Sequence, residues 1–274
     1  VNAAQSDKAG HFRALHERAG AFVIPNVWDG ASACVMAGLK FEALATSSSA
    51  CAATLGRLDG QITRDEALAH ARVIVAACAL PVSADLEQGF GDSPEAVAET
   101  IRQAAAAGLV GGSIEDASGH PEAPIYDLGL AVERVTAAAE AARRLPLPFT
   151  LTARAENYLH ARPDLDDTVR RLQAFERAGA DVLFAPGLPD LAAVRAVCGA
   201  VKKPVNFMVG IRGRSFSVAE LAAAGVRRIS LSTSLYRAAI TGLYAAGREV
   251  RDSGTFGYLE TIMSGKDLAG FLER

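Results

Sequence analysis

Cysteine is scarce in this chain, with four residues in 274, at Cys34, Cys51, Cys78 and Cys198. No two of them stand as Cys-x-x-Cys, so the spacing offers no metal or redox pair of that kind. Cys78 and Cys198 fall in Ala/Val-rich stretches of helical character, where a thiol serves as a small apolar filler. That usage predicts a reducing, cytoplasmic setting. Long apolar runs are missing too; none approaches the roughly 20 residues of a membrane-spanning helix. The opening VNAAQSDKAG has neither the charged start nor the apolar centre of a signal peptide, and its lack of an initiator Met points to processing or trimming. Neither sign of charge dominates. The net charge is −3, with no basic stripe and no acidic tail, so neither a nucleic-acid nor a membrane partner is expected. No Ser/Gly/Pro-rich linker divides the chain, and no short repeat runs through it. One domain over residues 1–274 is expected, with residues 233–274 as a helical extension.

What is present is an alternation. Half the residues are apolar and 22% are charged, as in ordinary globular proteins. Short β-rich runs fall at Ala21–Pro25, Ala43–Thr46, Pro81–Asp85, Gly111–Glu115, Phe149–Arg154, Val182–Ala185, Pro204–Met208 and Arg228–Leu231. Ala-rich amphipathic stretches separate them, among them Pro94–Ala107, Leu128–Arg144, Leu165–Ala178 and Val218–Ala224. Eight strands alternating with helices predict a parallel sheet closed as a (β/α)8 TIM-type barrel, a fold of about 250 residues. Ala107-Gly108, Ala178-Gly179 and Ala224-Gly225 each place glycine where a helix ends in a left-handed cap. Ser93-Pro94 reads as a helix start. After the eighth strand, helical pieces are expected at Thr233–Arg251 and Tyr258–Leu272.

In such a barrel the loops after the strands converge on one face, and polar residues collect there. The second strand runs into Thr46-Ser47-Ser48-Ser49, the third into Asp85-Leu86-Glu87, the fourth into Glu115-Asp116, the fifth into Arg154-Ala155-Glu156, and the seventh carries Asn206. Asp85 and Glu87, two apart on an extended segment, point the same way. With Glu115 they form a carboxylate set suited to a hard cation such as Mg2+. The alternative is that these acids cap helices or pair with lysines. Arg154 could grip a carboxylate with its planar fork, or form an ion pair with Glu115 or Glu156. The serines at 47–49 offer donors to an oxyanion, or form a simple turn.

Four segments, Leu55-Gly-Arg-Leu-Asp59, Ser83-Ala-Asp-Leu-Glu-Gln-Gly-Phe-Gly91, Ser113-Ile-Glu-Asp116 and Ala153-Arg-Ala-Glu156, resemble motifs of the isocitrate lyase/phosphoenolpyruvate mutase superfamily. They occur in the family's order, and the resemblance runs from about Phe12 to Tyr244. It implies Mg2+ and a 2-oxo acid, or its enolate, at the C-terminal mouth of the barrel. Asp85 would ligate the metal, Glu87 and Glu115 would act partly through water, and Asp59 would stand behind them. Arg154 would hold the substrate carboxylate, while amides around Ser47 and Ser48 would hold its other end. Trp28 would wall the pocket or else sit in the core, and Asn206 would face the substrate. The family also exchanges its last barrel helix between subunits and builds tetramers as dimers of dimers.

Departures from the family are equally informative. The lyases carry Lys-Lys-Cys-Gly-His after the fourth strand, and the mutases carry Lys and Asn there. Here the loop reads Asp116-Ala-Ser-Gly-His-Pro-Glu-Ala-Pro124. The sixth strand ends in Ala185-Pro186-Gly187, where the lyases have Pro-Glu and the mutases His-Ser. His120 is the titratable candidate of that loop. The expected activity is a Mg2+-dependent carbon–carbon lyase on a small 2-oxo or 2-hydroxy di- or tricarboxylate. This includes decarboxylation, which needs no base to begin. Phosphorus–carbon chemistry and a non-catalytic 2-oxo acid binder are the alternatives.

Overall fold

Each β-rich run becomes a parallel strand in the computed structural model of the chain, which describes residues 2–273. The strands are β1 (Phe22–Ile24), β2 (Leu44–Ala45), β3 (Val82–Asp85), β4 (Gly111–Glu115), β5 (Thr150–Arg154), β6 (Val182–Phe184), β7 (Val205–Met208) and β8 (Arg228–Ser230). They hydrogen-bond in the order β1-β8-β7-β6-β5-β4-β3-β2. A parallel bridge between Asn26 and Ala45 joins the two ends. There Val27 N–H donates to Ala45 O at 2.8 Å, and Ala45 N–H donates to Pro25 O at 2.9 Å. The fold is a (β/α)8 barrel with additional C-terminal helices.

The helices are α1 (Ala3–Glu17), α2 (Gly30–Gly38), α3 (Ser48–Thr54), α4 (Arg64–Ala77), α5 (Pro94–Ala106), α6 (Leu128–Arg143), α7 (Leu165–Ala178), α8 (Leu191–Ala200), α9 (Val218–Ala223), α10 (Ser234–Ser253) and α11 (Gly265–Leu272). Their punctuation follows local chemistry. Ser93 caps α5 by accepting from Ala96 N–H at 3.2 Å, ahead of Pro94. Gly179 and Gly225, just past α7 and α9, take φ of +104° and +100°, a region that costs a residue with Cβ,. The apolar faces of the helices pack on the outside of the barrel. Ile74, Ile101, Leu172 and Phe175 are fully buried there, each worth about 1.5–3 kcal/mol against exposure.

Helix α1 closes the N-terminal end of the barrel. Phe12 is fully buried, and a Cβ on Gly111 at the start of β4 would meet its ring at 2.9 Å. The inward positions recur every second residue, and many are polar: Ser83 and Asp85, Thr152 and Arg154, Arg228 and Ser230. The interior therefore opens toward the C-terminal mouth as a cavity with a polar lining.

The C-terminal region departs from expectation in one respect. The stretch Tyr258–Leu272 is a 3-10 turn at Gly257–Glu260 followed by a separate α11. The Glu249 carboxylate accepts from the backbone N–H groups of Gly257 and Tyr258, and Ser264 starts a new helix by accepting from Asp267 N–H. Helix α10 has no buried residue, although Ile240, Leu243 and Tyr244 lie along it. Among the described residues no helix is long and apolar enough to cross a membrane.

Candidate active site at the C-terminal mouth

The cavity at the mouth has a volume of about 470 Å³. Asp59, Asp85, Glu87, Glu115 and Glu156 line it, with Arg154 and Arg228 as their guanidinium counterparts. Register explains the gathering. Glu115 pairs with Arg154 across β4 and β5, and Asp85 pairs with Ser113 across β3 and β4, so all three polar side chains emerge at the ends of neighbouring strands.

Arg154 is the hub. Its Nη1 donates to Asp85 Oδ1 at 2.9 Å and lies 3.1 Å from Glu115 Oε2, while Nε donates to Glu156 Oε1 at 2.8 Å. Its guanidinium carbon sits 5.1 Å from the centre of the Phe184 ring, a cation–π contact. Burial works against its charge, but Glu156, Glu115 and Asp85 outweigh that and hold its pKa well above the ordinary value. Its Nη2 makes no hydrogen bond among the described residues. The ion-pair reading of Arg154 is thus realised, and one nitrogen is left over.

Asp85 is held from the other side. Ser48 donates to its Oδ2 twice, from N–H at 3.2 Å and from Oγ at 3.1 Å. Ser47 instead caps α3, accepting from Ala50 N–H. The remaining acids crowd one another. Glu87 is pushed up to about 8 by burial and by the charges of Asp85 and Asp59, and its Oε1 is buried with no hydrogen-bond partner. Burial also raises Glu115 well above the carboxylate range. Asp59, on the exposed loop between α3 and α4, is raised by desolvation and by Asp85. Among the described residues no three His, Cys, Asp or Glu side chains converge tightly enough to hold an ion unaided. An excess of carboxylates with one orphaned oxygen suits a cation that keeps several waters and takes only one or two protein ligands, as Mg2+ does.

One expectation about geometry needs correction. Glu87 does not share a strand with Asp85; β3 ends at Asp85, and Glu87 has φ +48° in a turn where Gly89 N–H donates to Leu86 O. Alternation therefore does not apply, and the turn delivers Glu87 to the cavity. Asn206 reaches the cavity, but both ends of its amide are engaged. Oδ1 accepts from Arg228 Nε at 2.9 Å, and Nδ2 donates to Ser230 Oγ at 3.0 Å.

Two further residues stand outside the cavity lining. The Trp28 indole packs edge-on against Tyr236 of α10, with ring centroids 5.5 Å apart. His120 turns outward, with its side chain 54% exposed and its Nε2 3.5 Å from Asp92 Oδ2. The loop is pinned by an Ala117–Ile125 bridge, and the Ser118 hydroxyl binds both Ala123 O and His120 N–H, which aims His120 away.

Two cavity residues, Arg228 and His160, carry no signal in the sequence pattern. Arg228 reads as half of an Arg-Arg pair until its register opposite Asn206 turns it inward. Glu156 is an ion-pair partner of Arg154 that the sequence offers. His160, in the β5–α7 loop, is the imidazole that lines the cavity. Among the described residues no cysteine lines the cavity in place of the missing loop thiol. Cys51, on the buried face of α3, has its pKa pushed up to about 11 by burial and by Glu87.

A (β/α)8 barrel with a carboxylate-rich, arginine-centred mouth defines the class, and comparison with known proteins places the chain within it. Residues 12–251 match the model of the phosphoenolpyruvate phosphomutase family. The chain belongs to that family, within the isocitrate lyase/phosphoenolpyruvate mutase superfamily. It is 32% identical to 2-methylisocitrate lyase of Escherichia coli (strain K12) over 213 residues, 74% of this chain and 71% of that protein. It is 30% identical to oxaloacetate decarboxylase of Ectopseudomonas mendocina (strain ymp) over 248 residues, 88% of this chain and 83% of that protein. A crystal structure from Burkholderia cenocepacia J2315, provisionally named a lyase/mutase, superposes with a TM-score of 0.97 at 52% identity, covering 100% of this chain and 98% of the other.

Proposed function

We propose that the protein is a Mg2+-dependent carbon–carbon lyase acting on a small 2-oxo or 2-hydroxy acid with two or three carboxylates, oxaloacetate-type decarboxylation included. The carrying observation is Asp85, held between Ser48 and Arg154 beside the partnerless Glu87 Oε1. Mg2+, when bound, supplies positive charge that draws electrons from the 2-oxo group. Asp85 would hold the ion, with Glu87 and Glu115 holding its waters and Asp59 behind them. Arg154 Nη2 remains free to donate to a substrate carboxylate, while Nη1 and Nε keep the guanidinium fixed. Such preorganised donors favour charge that develops in the transition state.

Decarboxylation needs no base to start, which agrees with a loop without cysteine. The likeness to a lyase and a decarboxylase supports the same reading. Phosphorus–carbon chemistry is less well supported, because among the described residues no lysine lines the cavity. The assembly we favour is a dimer of dimers in which α10 covers a neighbouring barrel, since α10 buries nothing on its own.

The test is a panel of 2-oxo acids and their aldol-type adducts, assayed for pyruvate release with Mg2+ and with EDTA. Turnover is expected with Mg2+ alone, and Asp85→Ala should abolish both turnover and the Mg2+ titration signal while the protein stays folded. Unchanged Mg2+ affinity in that variant would remove the metal assignment.

A further inference from the structure

Charge is unevenly paired inside the barrel. Arg154 has three carboxylates around it. Arg228, deeper on β8 and only 5% exposed, has none among the described residues. Its Nε donates to Asn206 Oδ1 at 2.9 Å, its Nη2 to Thr152 Oγ1 at 3.0 Å, and its Nη1 lies 3.4 Å from His16 Nε2. All three acceptors are neutral. His16 is kept so by burial and by Arg228 itself, which push its pKa down to about 3. Burial and the Arg154 charge push Arg228 down to about 9, which still leaves a cation at neutral pH.

A buried charge without a counterion is costly, and this one borders the cavity. A guanidinium has five N–H donors, and the three contacts leave two unengaged. Asn206 is locked in turn, because its Nδ2 donates to Ser230 Oγ. The amide oxygen must therefore face Arg228, which fixes the plane of the fork. The cavity thus has an acid-rich mouth suited to a cation and a floor with an uncompensated, oriented guanidinium. That polarity suits a ligand carrying a second anionic group beyond the one that meets Arg154.

We propose that Arg228, positioned by Asn206, is a second carboxylate-binding arm that takes the distal carboxylate of a 2-oxo or 2-hydroxy dicarboxylic acid. The proposal rests on the 2-oxo acid reading of the mouth and adds a residue that decides between mono- and dicarboxylates. Asn206 is a positioning residue, acting on the substrate through Arg228.

The test uses the full chain with Mg2+, titrated with pyruvate, oxalate, and the longer diacids malate and 2-oxoglutarate, and with the distal monomethyl esters of malate and 2-oxoglutarate. The free diacids should bind about tenfold more tightly than their esters, a difference of about 1.4 kcal/mol. In Arg228→Gln that advantage should vanish while pyruvate affinity stays nearly unchanged, and Arg228→Lys should recover part of it. Esters binding as well as diacids to the wild type would overturn the proposal even if Arg228→Gln fails to fold. Equal weakening of all ligands in Arg228→Gln, together with a lower melting temperature, would also overturn it, leaving Arg228 a brace. Pyruvate binding without a diacid advantage defeats the Arg228 arm alone. No binding of pyruvate, oxalate or diacid defeats both this proposal and the 2-oxo acid reading.

Discussion

Arg154 Nη1 stands 2.9 Å from Asp85 Oδ1, so the cation at the end of β5 and the acid at the end of β3 form one electrostatic unit across the β4 position between them. One guanidinium serves Asp85, Glu115 and Glu156, and it keeps the strand ends in register while the mouth stands open. With Arg154 in its proposed role, the same unit would tie ligand binding to stability.

Arg154→Lys is therefore expected to do two things. Lysine keeps the charge but loses the planar fork, and a charge-assisted bond is worth roughly 1.5–3 kcal/mol. Affinity for pyruvate or oxalate should fall by about one to two orders of magnitude, with Mg2+ affinity much less affected. The melting temperature should fall as well, because an ammonium cannot span three carboxylates. Calorimetric titration beside melting curves reads both effects. A lower melting temperature with unchanged ligand affinity would reduce Arg154 to a structural tie.

The parts of this arrangement that were legible in the sequence have a common cause. Asp85, Glu115 and Arg154 each end an apolar run, and an ionised residue there has few places to go but the mouth. Glu87 was assigned to the right place by the wrong route, since nothing in Asp85-Leu86-Glu87 announces a left-handed residue at 87. His120 was misplaced because loop hydrogen bonds, not spacing, decide which way a side chain faces. Arg228 escaped notice because a buried arginine and a surface arginine look alike until strand register is known. The barrel itself was readable throughout, because every strand is a short apolar run bounded by helix caps.

His160 lines the cavity, whereas His120 lies outside it. His160→Gln should lower kcat by about a hundredfold if the imidazole moves a proton at the substrate carbon, the lower end of what a positioned acid or base contributes. The same change should alter the pH–rate profile, and His120→Gln should leave both nearly untouched. Steady-state rates from pH 5.5 to 9 with both variants decide it. An unchanged profile in His160→Gln would exclude the imidazole from proton transfer.

His16 sets a pH limit on the barrel floor. It lies edge-on to Phe12 and Phe22 at 4.8 and 5.0 Å, donates toward Phe12 O at 2.8 Å, and faces Arg228 as its charged neighbour. Its pKa falls from 6.5 to about 3 on folding. Between those values the unfolded chain binds the extra proton, so this contribution to stability is lost as pH falls below 6.5. By pH 5 the loss is about 2 kcal/mol, at 1.36 kcal/mol per unit. Glu87, raised to about 8, acts in the opposite sense, losing stability as pH rises from 4.5 to 8. The wild-type curve therefore mixes the two effects, and the comparison with His16→Gln isolates the histidine. Denaturant unfolding at pH 7.5 and 5.0 should show a smaller acid loss in the variant. Equal losses would mean that His16 is not held neutral.

The last prediction concerns α10. Ile240, Leu243 and Tyr244 are 42%, 69% and 64% exposed and lie within one helical face,. Phe256, Leu259 and Ile262, around the 3-10 turn that follows, are exposed as well. A patch of this kind on a soluble monomer marks a contact surface. Tyr236 stays against Trp28 of its own barrel, so the helix starts at home and leaves along its length. Exchange of α10 between two copies would bury that face on a neighbouring barrel. The chain, 28.5 kDa as a monomer, should therefore scatter light as a dimer or tetramer at micromolar concentration. Leu243→Glu places a charge at the centre of the face that exchange would bury, where an unpaired carboxylate is costly. It should shift the population toward monomer and make the melting temperature depend on protein concentration. A well-folded monomer of the wild type, with a melting temperature independent of concentration, would show that α10 needs no partner.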